Sequence, residues 1–273
     1  MKELMTRSLT GLLFVILIIG SILLSPYAFF AVGAVFAGLG LNEFLKLFYP
    51  NHNIAEYKAY YFSGMAVYFL TGMVGIQVLD VRMMIYVMIL FYVMILLELF
   101  KEDSSWKRIG IYFSGFFFVA LAFGLMNALY FAGNQSSQQF FPGVLLGMFL
   151  LIWTNDVFAY LVGSRLGKHR LFERHSPKKS WEGSIGGLVF TMLAARLLSE
   201  YFHQLTYGQW MIMAMLAVVF GTFGDLSESM LKRNAGVKDS GSLLPGHGGV
   251  LDRFDAALFV SPFAYLYTSL FVI

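Results

Sequence analysis

The chain has 273 residues, of which 58% are hydrophobic and only 13% charged, and its mean hydropathy is +0.70. Soluble domains carry roughly 25% charged residues, so this composition excludes an ordinary soluble fold and points to an integral membrane protein. A net charge of +3, with the basic residues scattered through short loops, gives no ground for nucleic-acid binding, and the absence of cysteine excludes disulfides, a thiolate nucleophile and thiolate metal sites.

Crossing a bilayer takes roughly 20 apolar residues in a helix. Segments near that length recur at 8–24, 26–48, 59–79, 83–100, 109–131, 142–163, 184–202, 207–224 and 256–273. The first follows a positively charged start, and no small-residue cleavage site stands before Pro26, so it reads as a retained helix rather than a signal peptide. The expectation is an all-α, polytopic membrane protein with about nine transmembrane helices. Alternate loops then hold all but Arg82 and Arg196 of the 19 Lys and Arg residues. Such a bias places the N-terminus and the basic loops in the cytoplasm and the C-terminus outside.

Residues 1–141 read as a helical scaffold and 142–273 as the catalytic region, with cytoplasmic loops at 164–183 and 225–255. In the scaffold, Asn42 and Glu43 are polar residues at a span, and Glu43 is expected at the cytoplasmic interface. In the second half, Asp156 lies within an apolar segment, with Tyr160 and Gly163 on the same helical face. A carboxylate there needs a wet cavity or a cationic partner, or else serves as a buried contact between helices.

The loop SPKKSWEG places Lys178 and Lys179 beside Ser180, with Trp181 suited to the headgroup layer. By themselves these lysines equally satisfy the positive-inside bias or attract anionic lipid. Asp225, Glu228, Ser229 and Lys232 fall at offsets that share one helix face, where an internal Glu228–Lys232 pair is the simplest reading. Asp252 and Asp255, three apart, suit a helix start. Taken together, carboxylates fit for Mg²⁺, clustered Lys and Arg and a glycine-rich turn suit a polyphosphate. No Walker or GxGxxG pattern accompanies them.

The run Ser229, Lys232, Arg233, Lys238, Asp239, Pro245, His247, Gly248, Gly249, Asp252, Arg253, Asp255 resembles the signature of the phosphatidate cytidylyltransferase (CDP-diacylglycerol synthase) family. The upstream SPKKSWEG, the DxxAYxxGxxxG pattern from Asp156 to Gly167 and GDLxES from Gly224 are similar to that family too. The resemblance implies CTP and phosphatidate as substrates, CDP-diacylglycerol and pyrophosphate as products, Mg²⁺ as cofactor with room for a second metal ion, and a homodimer in a bilayer. It fits a bacterial plasma membrane, with the site on the cytoplasmic face.

The roles expected on that basis are as follows. Asp225 and Asp252 hold Mg²⁺, with Asp255 as a third ligand or in support. Lys232, Arg233 and Lys238 neutralise CTP phosphates, while Lys178 and Lys179 clamp the triphosphate or the lipid phosphate. Ser176 and Ser180 hydrogen-bond phosphate, and Ser229 and Arg253 join the substrate site. Gly248 and Gly249 admit the backbone to the triphosphate, His247 donates to an oxyanion or to pyrophosphate, and Asp156 floors the pocket. Three other readings are weaker. A polyprenol kinase would move the γ-phosphoryl group, a CDP-alcohol phosphatidyltransferase needs a compact multi-aspartate helix absent here, and a transporter would carry ionisable residues through several spans.

Overall fold

The structure is a computed structural model that describes residues 2–51, 53–133, 140–174, 176–241 and 248–272. It is mostly helical: α1 (Lys2–Leu24), α2 (Pro26–Phe48), α3 (Lys58–Gly75), a 3₁₀ turn (Val81–Met84) leading into α4 (Ile85–Leu99), α5 (Trp106–Gly115) continuing through a π-helical turn (Phe116–Leu121) into α6 (Ala122–Ala128), α7 (Gly143–Leu166), α8 (Trp181–Tyr201), α9 (Tyr207–Asn234) and α10 (Leu251–Phe271). Among the described residues, six helical segments are long and apolar enough to cross a membrane: Pro26–Phe48, Val81–Leu99, Trp106–Ala128, Gly143–Leu166, Tyr207–Asn234 and Leu251–Phe271.

Local chemistry explains the helix starts. Ser25 accepts the Ala28 N–H at 3.0 Å, and Pro26 occupies the first helical position, where a missing N–H costs nothing. Thr206 and Gln209 form a reciprocal capping box at the start of α9. At the start of α8, Ser180 accepts the Gly183 N–H at 3.1 Å.

Two features depart from the expected all-α pattern of spans and loops. The loop 164–183 contains a two-stranded antiparallel sheet, β1 (Arg170–Phe172) with β2 (Ser176–Ser180), in which Arg170 faces Ser180 and Phe172 faces Ser176. Pro177 is tolerated there because a two-stranded ribbon consists of edge strands alone. Helix α9 also runs to Asn234 instead of ending near 224. Hydropathy registers only its apolar part, whereas the backbone continues through a polar turn held by the Lys232–Glu228 pair at 2.6 Å.

The chain forms two compact units: Met1–Ala128 with Asp239–Arg253, and Leu129–Lys238 with Phe254–Ile273. Residues 239–241 and 248–253 therefore pack with the first half of the chain. In the first unit the core gathers Phe44, Tyr60, Tyr68 and Phe116, all buried. The two tyrosine hydroxyls find backbone acceptors, Tyr60 on Leu41 O at 3.2 Å and Tyr68 on Phe30 O at 2.5 Å, as buried hydroxyls must.

In the second unit α7 and α8 meet through small residues. A Cβ on Gly183 would stand 2.7 Å from the Ala159 carbonyl, so the two backbones approach as glycine-lined membrane helices do. The Trp210 ring is buried in this unit, and its N–H donates to Phe202 O at 3.0 Å.

Candidate active site

Each unit holds its own cluster of polar side chains. In the second, the last turns of α9 present Asp225, whose carboxylate is in an ion pair with Lys179 from β2. The Ser229 hydroxyl donates to the other Asp225 oxygen at 3.3 Å, one turn on, as the shared helix face predicts. Asp255 on α10 lies near enough for the charges of Asp225 and Asp156 to act on it, with Lys179 opposing them. Three carboxylates and one ammonium thus share a neighbourhood, although the three acids lie 69 to 99 positions apart or 30 apart in sequence.

Gly224 explains how Asp225 comes so close to α10. A Cβ at that position would collide with the Asp255 carbonyl and lie 2.9 Å from the Phe259 Cβ. The glycine allows α9 and α10 to touch backbone to backbone.

In the first unit the cluster is built around a buried carboxylate. Glu43, on α2, is 6% exposed. Its Oε1 accepts the Val250 N–H at 2.9 Å, and its Oε2 accepts the Leu251 N–H and the Ser240 hydroxyl, both at 3.0 Å. Asp252 is held from the same side: its Oδ2 accepts the Gly249 N–H at 2.7 Å, the Ser240 N–H at 2.9 Å and the Ser240 hydroxyl at 3.0 Å.

These contacts add to what the sequence leads one to expect. Glu43 is a buried anchor for the start of α10. The glycines beside it make room for carboxylates of the chain itself. Gly248 has φ +79, which a side chain would strain, and a Cβ on Gly249 would collide with the Glu43 carboxylate. The Gly249 N–H, expected to face a triphosphate, is taken by Asp252.

The other expected residues are distributed as follows. Lys232 is paired with the buried Glu228, and its side chain is 13% exposed. Arg233 donates to Val237 O at 3.3 Å beyond the end of α9. Lys178, Lys238 and Arg253 are exposed, and Ser176 is half-buried at the start of β2. Ser180 is buried and caps α8. Asp156 is exposed on α7. His247 lies outside the described residues.

The hairpin has an electrostatic lock of its own. His169 Nδ1 and Glu182 Oε1 are 2.6 Å apart, and Glu182 also accepts the backbone N–H groups of Lys168 and His169 at 3.0 and 3.2 Å. The contact with His169, helped by these backbone donors, holds the Glu182 carboxyl down at about 2. Lys168, His169, Arg170, Glu173, Trp181, Glu182 and Ile185 line a cavity of about 830 Å³ beside it.

Sequence reasoning missed Ser240 and the partners of Glu43. Its one signal was the presence of an ionisable residue in a span; the partners that explain it lie 197 to 208 positions away.

The donors available to a divalent cation are carboxylate oxygens, the hard type that Mg²⁺ takes. Among the described residues no three His, Cys, Asp or Glu side chains converge as a ready-made cage. That suits Mg²⁺, which one or two carboxylates commonly hold together with water and substrate phosphates. Asp225 and Asp255, with Asp156 near and Lys179 paired to Asp225, offer oxygen donors of that type.

Comparison with known proteins identifies the family. Residues 5–271 match the cytidylyltransferase family. A Bacillus subtilis protein named phosphatidate cytidylyltransferase is 35% identical over 72% of this chain and 70% of its own length. Proteins of the same name from Staphylococcus aureus (strain COL) and Staphylococcus haemolyticus are 42% and 37% identical, over 54% and 58% of this chain and 58% and 60% of their own lengths. With a family match that runs nearly end to end, the chain belongs to the cytidylyltransferase family and is a nucleotidyltransferase.

Proposed function

We propose that the protein is a phosphatidate cytidylyltransferase of a bacterial plasma membrane, converting CTP and phosphatidate to CDP-diacylglycerol and pyrophosphate. The observation that carries this reading is the Lys179–Asp225 pair beside Asp255 in a chain whose relatives bear that name. Nine helices cross the bilayer with the N-terminus and both basic loops in the cytoplasm, where CTP is found.

The reaction joins two anions. A phosphatidate oxygen attacks the α-phosphorus of CTP, the bond from that phosphorus to the bridging oxygen breaks, and pyrophosphate leaves with the electron pair. Phosphate monoesters have a second pKa of roughly 6, so the nucleophile is ionised at neutral pH and needs no strong general base. The barrier lies in charge repulsion and alignment, which fixed cations and positioning reduce.

Asp225 and Asp255 are the residues that would hold Mg²⁺. When bound, the ion supplies charge neutralisation at the triphosphate. Lys179, already placed against Asp225, brings a fixed ammonium to the same neighbourhood, and the exposed Lys178 adds a second from the same strand. Ser229 orients the Asp225 carboxylate through its hydroxyl. Asp252 has a different part: three donors on one oxygen make it a clamp on the start of α10, the helix that carries Asp255.

The test is CTP labelled at the α-phosphorus, incubated with purified protein, phosphatidate and Mg²⁺. Label should enter a CDP-lipid, and EDTA should abolish its transfer. Transfer of γ-label instead would establish a kinase. Asp225→Asn should lower turnover by roughly 100-fold or more while the melting temperature in detergent stays near that of the parent; near-normal turnover would remove Asp225 from the site.

A further inference from the structure

Glu43 stands far from the signature region in sequence, on a helix otherwise occupied with core packing. Its carboxylate nevertheless carries both N–H groups at the entry to α10, and through Ser240 it shares a hydroxyl with Asp252. A hydroxyl has one hydrogen to donate. Two carboxylates 3.0 Å from the same oxygen are therefore coupled, because what one receives the other loses.

The surrounding chain is shaped to admit this group. Cβ atoms on Gly241 and Gly249 would both run into the Glu43 carboxyl, and Gly40, one turn earlier on α2, leaves Leu251 within 3.5 Å of its own Cβ position. A buried carboxylate is costly unless its oxygens are satisfied. Here three donors meet it, two of them from backbone that an α-helix leaves unsatisfied at its N-terminus. Because α10 is one continuous helix from Leu251, whatever fixes residues 250 and 251 also sets the rotation at which Asp252 and Asp255 leave it.

We infer that Glu43 is a positioning residue for the reaction: it anchors the entry of α10 and, with Ser240, sets the aim of the acidic side chains that this helix carries. The inference rests on the proposed role of Asp255 in holding the cation. Glutamine at position 43 would keep the shape and one acceptor but turn an NH₂ group toward one or two of these donors. Aspartate keeps the charge on a shorter arm, so it restores part of the arrangement.

The experiment uses the full chain in detergent with Mn²⁺ as the probe, its binding followed by electron paramagnetic resonance beside the melting temperature, kcat and KM. Glu43→Gln should weaken Mn²⁺ binding and lower kcat, each about tenfold, with KM for phosphatidate within about twofold of the parent. Glu43→Asp should recover part of both. Ser240→Ala, a milder change less prone to misfolding, should lower kcat in the parent background and much less in the Glu43→Gln background, as coupled groups do.

Unchanged Mn²⁺ affinity in folded Glu43→Gln protein overturns the inference. So does a loss of melting temperature with kcat per folded molecule preserved, which would make Glu43 structural only. The parent enzyme's own failure to transfer label from CTP to phosphatidate would instead defeat the proposed reaction, while the Mn²⁺ measurement would still decide the role of Glu43.

Discussion

Two neighbouring lysines show what a single position contributes. Lys178 and Lys179 are indistinguishable by composition or by the positive-inside bias, yet strand alternation sends adjacent side chains to opposite faces. Lys178 is exposed, and Lys179 turns inward to pair with Asp225. Lys179→Ala should therefore reduce turnover by roughly tenfold or more, and Lys178→Ala by clearly less, since an exposed ammonium contributes little to a fixed geometry. Steady-state kinetics with CTP varied at saturating phosphatidate would check the order.

Lys232 is the opposite case, a signature cation whose charge is already engaged by the buried Glu228. Removing one partner of a buried pair is strongly destabilising. Lys232→Met should cost about 3 kcal/mol of stability, read as a lowered melting temperature, with KM for CTP little changed. A normal melting temperature with a raised KM would return Lys232 to the phosphate site.

Among the elements, the hairpin β1–β2 and the first turn of α8 form a small device that hydropathy cannot detect. Its lock is Glu182, with a carboxyl held at about 2 in the fold by His169 and nearby backbone N–H groups, against an ordinary value of 4.5. A carboxyl lowered in the folded state contributes stability that is fully present above the ordinary value and is lost as pH falls through the folded one. Melting temperatures measured from pH 6 downward should thus decline through the window from 4.5 to about 2, and Glu182→Gln should flatten that part of the profile. Helix α9 teaches the complementary lesson. Its final turns are polar and lie in the cytoplasmic segment, yet Asp225, Glu228, Ser229 and Lys232 have the spacing of one helix face, and the backbone follows spacing rather than polarity.

For the whole molecule, the absence of native cysteine makes topology directly measurable. Lys178→Cys and Arg82→Cys, made singly, should react with a membrane-impermeant maleimide from opposite sides in intact cells and inverted vesicles, Lys178→Cys from the cytoplasmic side. Reaction of both from one side would break the proposed nine-helix arrangement. Helix positions were legible in the sequence because a bilayer imposes length and hydropathy on every span: Pro26–Phe48 coincides with its expected segment, and the other eight expected segments each overlap a helix. Much of the site was legible for a related reason. Charges so close to apolar spans must have a use, and Asp225, Asp255 and Lys179 do come together. The sequence by itself determined the membrane class, the apolar helices and the spacing of the acids and lysines proposed for the chemistry, since these follow from local composition. Only the tertiary structure decided which of two adjacent lysines turns inward, that the glycines of 248–249 accommodate the chain's own carboxylates, and that Glu43 holds the entry to α10. Those depend on hydrogen bonds between groups some 200 positions apart, and no local pattern encodes a partner that distant.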